Sequence, residues 1–189
     1  MTGGIIVERK IVYFEDTKAD NTETVFNLVL KRLDAGDIGK VVIASTTGVT
    51  AQKAMDFFQK GGIKLIVIPH QFDFVREVNP FPPELVKTLK EKGHDVHFGT
   101  MLFHTENLYE SNIPILMANL LRCFSQGVKV CFEIAMMATD AGCLAKGERV
   151  IAIAGTGRGA DTALVMQASS SRNMKKLRVN EILCKPLEP

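Results

Sequence analysis

The feature that most constrains the fold of this chain is an apolar, β-branched run that leads directly into a hydroxyl-rich turn. Residues 41–44 read Val-Val-Ile-Ala, residues 45–50 read Ser-Thr-Thr-Gly-Val-Thr, and residues 51–59 continue with apolar side chains at helical spacing. This succession predicts a buried strand, a loop and a helix.

The same turn combines three devices that bind anions. Its hydroxyls donate to phosphate oxygens, its glycine lets the backbone approach a ligand, and a helix begins at its end. Helix capping by Ser and Thr is the simpler explanation. Hydroxyls together with a glycine exceed what capping needs, so we favour a phosphate site. Its residues are Ser45, Thr46, Thr47, Gly48 and Thr50.

Short apolar strands alternate with helical segments along the whole chain. Strands are expected at 11–14, 41–44, 65–68, 96–98 and 150–154, and further strands at 162–167 and 179–184 close the chain. A long helical region is expected over 113–145, interrupted near Gly127. The alternation predicts one domain over 1–189, a three-layer α/β/α sandwich with a mostly parallel sheet and antiparallel last strands.

The composition and net charge of the chain limit the ligands, partners and cellular location that we expect. The 23 basic and 21 acidic side chains leave a formal net charge of +2, which gives no reason to expect nucleic acid. No apolar run is long enough to cross a membrane, and the N-terminal residues lack a secretory apolar region. The four cysteines form no C-x-x-C pair, and the histidines lack metal-ligand spacing. We therefore expect a cytoplasmic protein without a metal site.

A second glycine-rich loop follows the predicted strand at 150–154. Residues 155–161 read Gly-Thr-Gly-Arg-Gly-Ala-Asp, and their spacing imitates a dinucleotide fingerprint. In a dinucleotide-binding protein, a helix and a later acidic residue follow this loop. Here a short strand follows the loop, so we reject dinucleotide binding. Arg158 offers a cation to an anionic ligand, and a plain turn is an equal alternative. The candidate ligand residues are Gly155, Thr156, Gly157, Arg158 and Gly159.

Four further residues are candidates for the same crevice, because ligands of such folds bind at the carboxyl ends of the strands. His70 and Phe72 follow the strand at 65–68, Glu133 lies on a Met-rich helical stretch, and Asp161 ends the second loop. The loop aromatics can instead pack on the domain, and the acids can be solvated.

The stretch from about Asn21 to Ser169 resembles the C-terminal domain of pyruvate kinase. The segment VVIASTTGVTAQKA is similar to that family's strand, Ser-Gly-Arg-Ser-Ala turn and helix, and GERVIAIAGTGRGAD is similar to its late GDVVIVLTGWRPGSG-like segment. Both loops bind a sugar bisphosphate in regulated pyruvate kinases. Val49 stands where the family has Arg, which favours a monophosphate here.

The resemblance implies a stand-alone member of this domain family. The catalytic barrel of pyruvate kinase has no counterpart in the sequence, so we do not expect its phosphoryl transfer. The spacing Ser45-x-x-Gly48-x-Thr50 is also similar to the loop of flavodoxin-type proteins that holds the phosphate of flavin mononucleotide (FMN).

The leading hypothesis from the sequence is binding of a small phosphorylated ligand, with FMN as the cofactor. One alternative is an enzyme that acts on a phosphorylated substrate or uses flavin for redox chemistry. Another is an oligomeric regulatory protein that senses a sugar phosphate. A homo-oligomer is expected, because the apolar stretch at 113–145 can form a subunit interface as well as core.

Overall fold

The computed structural model describes residues 6–74 and 77–188. The strands are β1 (Val12–Phe14), β2 (Lys40–Ala44), β3 (Lys64–Ile68), β4 (Asp95–Val96), β5 (Arg149–Ala154), β6 (Thr162–Gln167) and β7 (Arg178–Pro186). The α-helices are α1 (Thr22–Leu33), α2 (Val49–Phe58), α3 (Pro83–Glu91), α4 (Glu106–Tyr109), α5 (Ile113–Arg122) and α6 (Gln126–Asp140). Two 3₁₀ turns, at Gln59–Gly61 and Ser171–Lys176, complete the described elements.

All seven strands form one sheet in the order β1-β7-β6-β5-β2-β3-β4. Strand β6 pairs antiparallel with both β5 and β7, and the other neighbouring strands pair in parallel. The predicted class, a three-layer sandwich around a mostly parallel sheet with antiparallel pairing at the end of the chain, is confirmed. None of the helices in the described ranges has the length and apolar character needed to cross a bilayer.

Both faces of the sheet are buried, because side chains alternate along each strand. Val41 and Ile43 join one apolar core with helices α1, α2 and α3. Val42 points the other way and joins a second core, in which helix α6 is the main partner. This two-sided burial explains why the strands read as continuous apolar runs.

The long helical region is interrupted earlier than predicted. Helix α5 ends at Arg122 and α6 begins at Gln126, where the Ser125 hydroxyl accepts a hydrogen bond from Val128 N at 3.1 Å. Gly127 lies inside α6, and a Cβ there would collide with the Thr162 side chain. Glycine is therefore required at this position by close packing on β6 and does not break the helix.

Strand register brings three loops together at one edge of the sheet. Ile43 of β2 is paired with Ile153 of β5, and Ala44 of β2 is paired with Ile68 of β3. The chains leaving these parallel strands therefore emerge side by side. The hydroxyl-rich loop occupies the middle, between the residues that follow β3 and the glycine-rich loop that follows β5.

Candidate functional site

A cleft of about 580 Å³ opens at the carboxyl ends of β2, β3 and β5. This volume is in the range that takes a drug-sized ligand. The cleft is lined by both predicted loops, by residues before and in α1, and by one side of α6. Its polar lining residues include Asp20, Thr22, Ser45, Thr46, Thr47, Thr50, Lys53, His70, His104, Gln126, Lys129, Glu133, Thr156 and Arg158.

The loop after β2 presents an open helix N-terminus to the cleft. Gly48 caps α2 with φ at +86°, a left-handed conformation that favours glycine. The Ser45 hydroxyl accepts from Ala51 N at 3.2 Å, so this side chain does cap the helix. Among the described residues, no acceptor is recorded for the backbone N–H groups of 46–50. These amides and the hydroxyls of Thr47 and Thr50 remain available to a ligand.

The loop after β5 is shaped by Asp161. Its two carboxylate oxygens accept hydrogen bonds from Thr156 N at 2.8 Å and from the Thr162 hydroxyl at 2.7 Å. The chain folds so tightly that a Cβ on Gly155 would collide with the carbonyl of Gly159. Asp161 is thus a buried support of the loop and does not line the cleft.

The start of α1 fastens this second loop. The hydroxyl of Thr22 accepts from Ala160 N at 2.9 Å, and Thr22 is buried. Asp20 accepts from Thr22 N at 3.1 Å and forms an ion pair with Lys53 of α2 at 2.7 Å. The hydrogen bond from Lys53, followed by those from Thr22, lowers the pKa of Asp20 to about 2.

Positive charge predominates around the cleft. The formal charges of Asp20 and Lys53 cancel, and so do those of the buried ion pair between Lys129 and Glu133. Arg158 is exposed, and no ion pair or hydrogen bond of its guanidinium is recorded within the described residues. One uncompensated guanidinium and the positive end of α2 therefore face the cleft, which suits an anion.

Aromatic rings form the wall on the β3 side. Phe74 stands between two histidines, with its centroid 5.1 Å from that of His70 and 5.0 Å from that of His104, both nearly edge to face. His70 Nε2 lies 3.2 Å from the Thr46 hydroxyl, which ties this wall to the hydroxyl-rich loop. Burial lowers the pKa of both histidines, which favours the neutral imidazole.

The floor of the cleft contains a buried ionic cluster on α6. Lys129 forms an ion pair with Glu133 one turn along the helix and donates to His104 Nε2 at 3.0 Å. The second oxygen of Glu133 accepts from Phe103 N at 2.8 Å. The Lys129 ammonium also lies 5.3 Å from the centroid of the Phe103 ring. Burial lowers the pKa of Lys129, although the Glu133 carboxylate opposes that shift.

The structure places most of the sequence-derived candidates at this one cleft. Gly48 and Phe72 are exceptions, because neither lines the cleft. The ring of Phe72 packs against Phe98, and this residue is 62% exposed. Both predicted loops, His70 and Glu133 line the cleft. Four charged or hydroxyl-bearing lining residues were not predicted from the sequence. Of these, only Asp20 and Thr22 carry a recognisable signal, an Asp-x-Thr sequence at a helix start. The four are Asp20, Thr22, Lys53 and Lys129.

The described residues contain no group of three or more His, Cys, Asp or Glu side chains arranged to hold a metal ion. No family model matches the chain. Among solved structures, it is similar to a pyruvate kinase from Cryptosporidium parvum, with a TM-score of 0.44 and 13% identity over 82% of this chain. The pyruvate kinase of that organism in complex with ADP gives the same values. The chain spans about a quarter of the length of these pyruvate kinases, 24% and 25% respectively.

Proposed function

We propose that this protein binds a small phosphorylated ligand in the cleft, with FMN as the leading candidate. The observation that carries the proposal is the loop at 45–50, where unpaired amides, two available hydroxyls and a helix N-terminus converge. Phosphate is the ligand that such a set of donors recognises best. Arg158, on the neighbouring loop, supplies a cation for the same group.

The remainder of the cleft supports a ligand with a ring. Phe74 and the imidazole rings of His70 and His104 form an aromatic wall beside the phosphate loop. An aromatic wall next to an anion site favours a phosphorylated compound with a planar ring over a bare sugar phosphate. The flavodoxin-like spacing of Ser45, Gly48 and Thr50 makes FMN the first compound to test.

We also propose that the chain is a stand-alone relative of the pyruvate kinase C-terminal domain. The support is the likeness of its two loop segments to those that flank the effector site of that family. The resemblance concerns only the effector-binding domain, so ligand binding is proposed without the phosphoryl transfer of pyruvate kinase.

Flavin fluorescence tests the proposal directly. We expect the protein to quench FMN fluorescence at low ligand concentration and to bind riboflavin, which lacks the phosphate, at least tenfold more weakly, since each hydrogen bond to a charged group contributes about 1.5–3 kcal/mol. Thr47→Val and Thr50→Val are each expected to weaken FMN binding by about tenfold or more for the same reason. Thr88→Val is the matched control, because Thr88 lies on α3 outside the cleft.

Two outcomes would count against parts of the proposal. Equal affinity for FMN and riboflavin would contradict the phosphate site. Absence of FMN binding, together with a rise in thermal stability on adding a sugar phosphate, would retain the phosphate site and reject the flavin. Native mass spectrometry of freshly purified protein supplies an independent reading, because a retained ligand reveals its mass.

A further inference from the structure

The buried cluster of Lys129, Glu133 and His104 is not explained by stability. Lys129 and Glu133 are 1% and 3% exposed, on a helix whose other buried side chains are mostly apolar. A buried ion pair stabilises a protein no better than apolar residues of similar volume, because both charges lose their hydration. Perturbed ionisable groups that border a cleft are typical of functional sites.

The contacts of Lys129 provide its amine with two proton acceptors. The ammonium donates to Glu133 Oε2 and to His104 Nε2, and both partners also line the cleft. Glu133 is itself held by Phe103 N, and Phe74 packs edge to face on His104. The amine is therefore held in one place, at the border of the cleft, with a base on either side.

Burial favours the neutral form of this amine. Removal from water is the largest influence on the pKa of Lys129 and lowers it. The Glu133 carboxylate opposes this shift, and Arg122 acts in the same direction as burial. Desolvated lysines of this kind are the ones that react with carbonyl compounds, since only the neutral amine is a nucleophile.

We propose that Lys129 forms an imine with the carbonyl carbon of a phosphorylated aldehyde or ketone bound in the cleft. The inference rests on the phosphate-binding part of the proposed function, because the loop at 45–50 would anchor the phosphate of such a compound. It names a second ligand class that would compete with FMN for the loop.

The reaction balances with the groups in the cluster. The Lys129 ammonium passes a proton to His104, and the neutral nitrogen bonds to the carbonyl carbon while the carbonyl oxygen takes that proton back from His104. The nitrogen gives a second proton to Glu133. Glu133 then returns it to the hydroxyl group, which leaves as water. The product is a protonated imine, and its positive charge remains paired with the Glu133 carboxylate.

Reductive trapping on the intact protein tests this inference. Pyridoxal phosphate carries an aldehyde, a ring and a phosphate, and borohydride reduces any imine that it forms to a stable amine. Peptide mass spectrometry then locates the label. Lys129 lines the same cleft as the phosphate-binding loop, and burial lowers the pKa of its amine, so we expect Lys129 to carry more label than the half-exposed Lys53.

Two variants and one second probe complete the design. Lys129→Arg keeps a cation beside Glu133 and is expected to abolish the label, whereas Lys87→Met, on α3 outside the cleft, is expected to leave it. Pyridoxal lacks the phosphate and is expected to label Lys129 at least tenfold less. Loss of even one hydrogen bond between the phosphate and the loop would weaken binding by about this factor. Because the wild-type label map needs no variant, poor folding of Lys129→Arg would not affect the test.

The outcomes separate the two proposals. Label confined to Lys53 and surface lysines would overturn the imine inference. Equal labelling of Lys129 by both probes would support imine formation at Lys129, but it would contradict both the phosphate site and the phosphorylated class of the carbonyl ligand. Preferential labelling of Lys129 by the phosphorylated probe, together with less labelling when inorganic phosphate competes, would support both the imine inference and the phosphate site.

Discussion

Lys129 and Glu133 lie one turn apart on α6, and their charged groups meet beneath the cleft with almost no exposure to water. The carboxylate is held in turn by Phe103 N, so the pair connects the helix to the segment that precedes α4. Removal of one partner of such a pair lowers the stability of the folded protein strongly, because the remaining charge stays buried without its partner.

The first prediction concerns the stability of this pair. Lys129→Met is expected to lower the free energy of unfolding by about 3–5 kcal/mol, as removal of one partner of a buried ion pair does. The double variant Lys129→Met/Glu133→Leu is expected to lose less than Lys129→Met alone. Equilibrium urea unfolding measures both, and a double variant that is less stable than the single one would contradict this account.

The second prediction concerns Gly48, which combines a positive φ with close packing. A Cβ at Gly48 would lie 2.7 Å from Leu85 Cδ2 and 2.9 Å from Pro82 Cδ. Gly36 also has a positive φ, at +74°, but an added Cβ there would meet nothing within 4 Å. Gly48→Ala is therefore expected to cost about 1–3 kcal/mol more than Gly36→Ala, the usual cost of overpacking.

Thermal or urea unfolding of these two alanine variants isolates the packing contribution, because the backbone strain is common to both. Equal losses of unfolding free energy in Gly48→Ala and Gly36→Ala would mean that α3 moves away from the added methyl group without a loss of stability. Gly48→Ala is also expected to weaken FMN binding, since the shift of the loop misplaces its amides, whereas Gly36→Ala is expected to leave binding unchanged.

The third prediction concerns the link between α1 and the glycine-rich loop. Thr22→Val removes the acceptor of Ala160 N, and a buried donor left without a partner costs about 1–3 kcal/mol. Thr22→Ser keeps the hydroxyl and is expected to retain most of the stability. Amide hydrogen exchange at Ala160 provides a local measurement. Faster exchange in Thr22→Val than in Thr22→Ser is expected, and equal rates would contradict the role of this hydrogen bond.

The fourth prediction concerns the acid titration of Asp20. Its pKa of about 2 in the folded protein lies below the ordinary value of 3.8. The folded state therefore gains stability from this carboxylate above pH 3.8, and loses that gain as the pH falls toward 2. In Lys53→Met, an NMR titration is expected to show the Asp20 pKa rising toward 3.8 while Thr22 still holds it somewhat lower. Lys87→Met, on α3, is the control and is expected to leave this pKa unchanged.

The fifth prediction concerns the expected homo-oligomer. Ile113, Leu116 and Leu120 form one row on α5 and are 64%, 65% and 68% exposed. Residues 113–121 carry no charge, whereas Glu110 precedes them and Arg122 follows. Two antiparallel copies of α5 would bury the row and place unlike charges together at each end.

Leu116→Glu is accordingly expected to convert an oligomer into a monomer in native mass spectrometry. Leu30→Glu, at an exposed leucine on α1, is expected to leave the mass unchanged. A wild-type protein that is monomeric at micromolar concentration would contradict an interface at α5.

Local patterns in the sequence predicted the two loops and most of the sheet. The apolar run at 41–44 and the hydroxyls after it mark the end of β2 without knowledge of any distant residue, because alternation and capping are properties of neighbours. Gly127 shows the limit of such reasoning. A glycine in a helical pattern indicates a break, whereas here its missing Cβ makes room for Thr162 of β6.

The sequence by itself determined the fold class and indicated the two loops that border the cleft, since both follow from short-range periodicity and turn chemistry. Only the tertiary structure decided what completes the cleft. Strand register sets the two loops side by side, although more than 100 residues of sequence separate them. The contact of Lys129 with His104 joins residues 25 positions apart, which no local pattern encodes. Burial then gives the amine its lowered pKa, because loss of hydration depends on everything that packs around it.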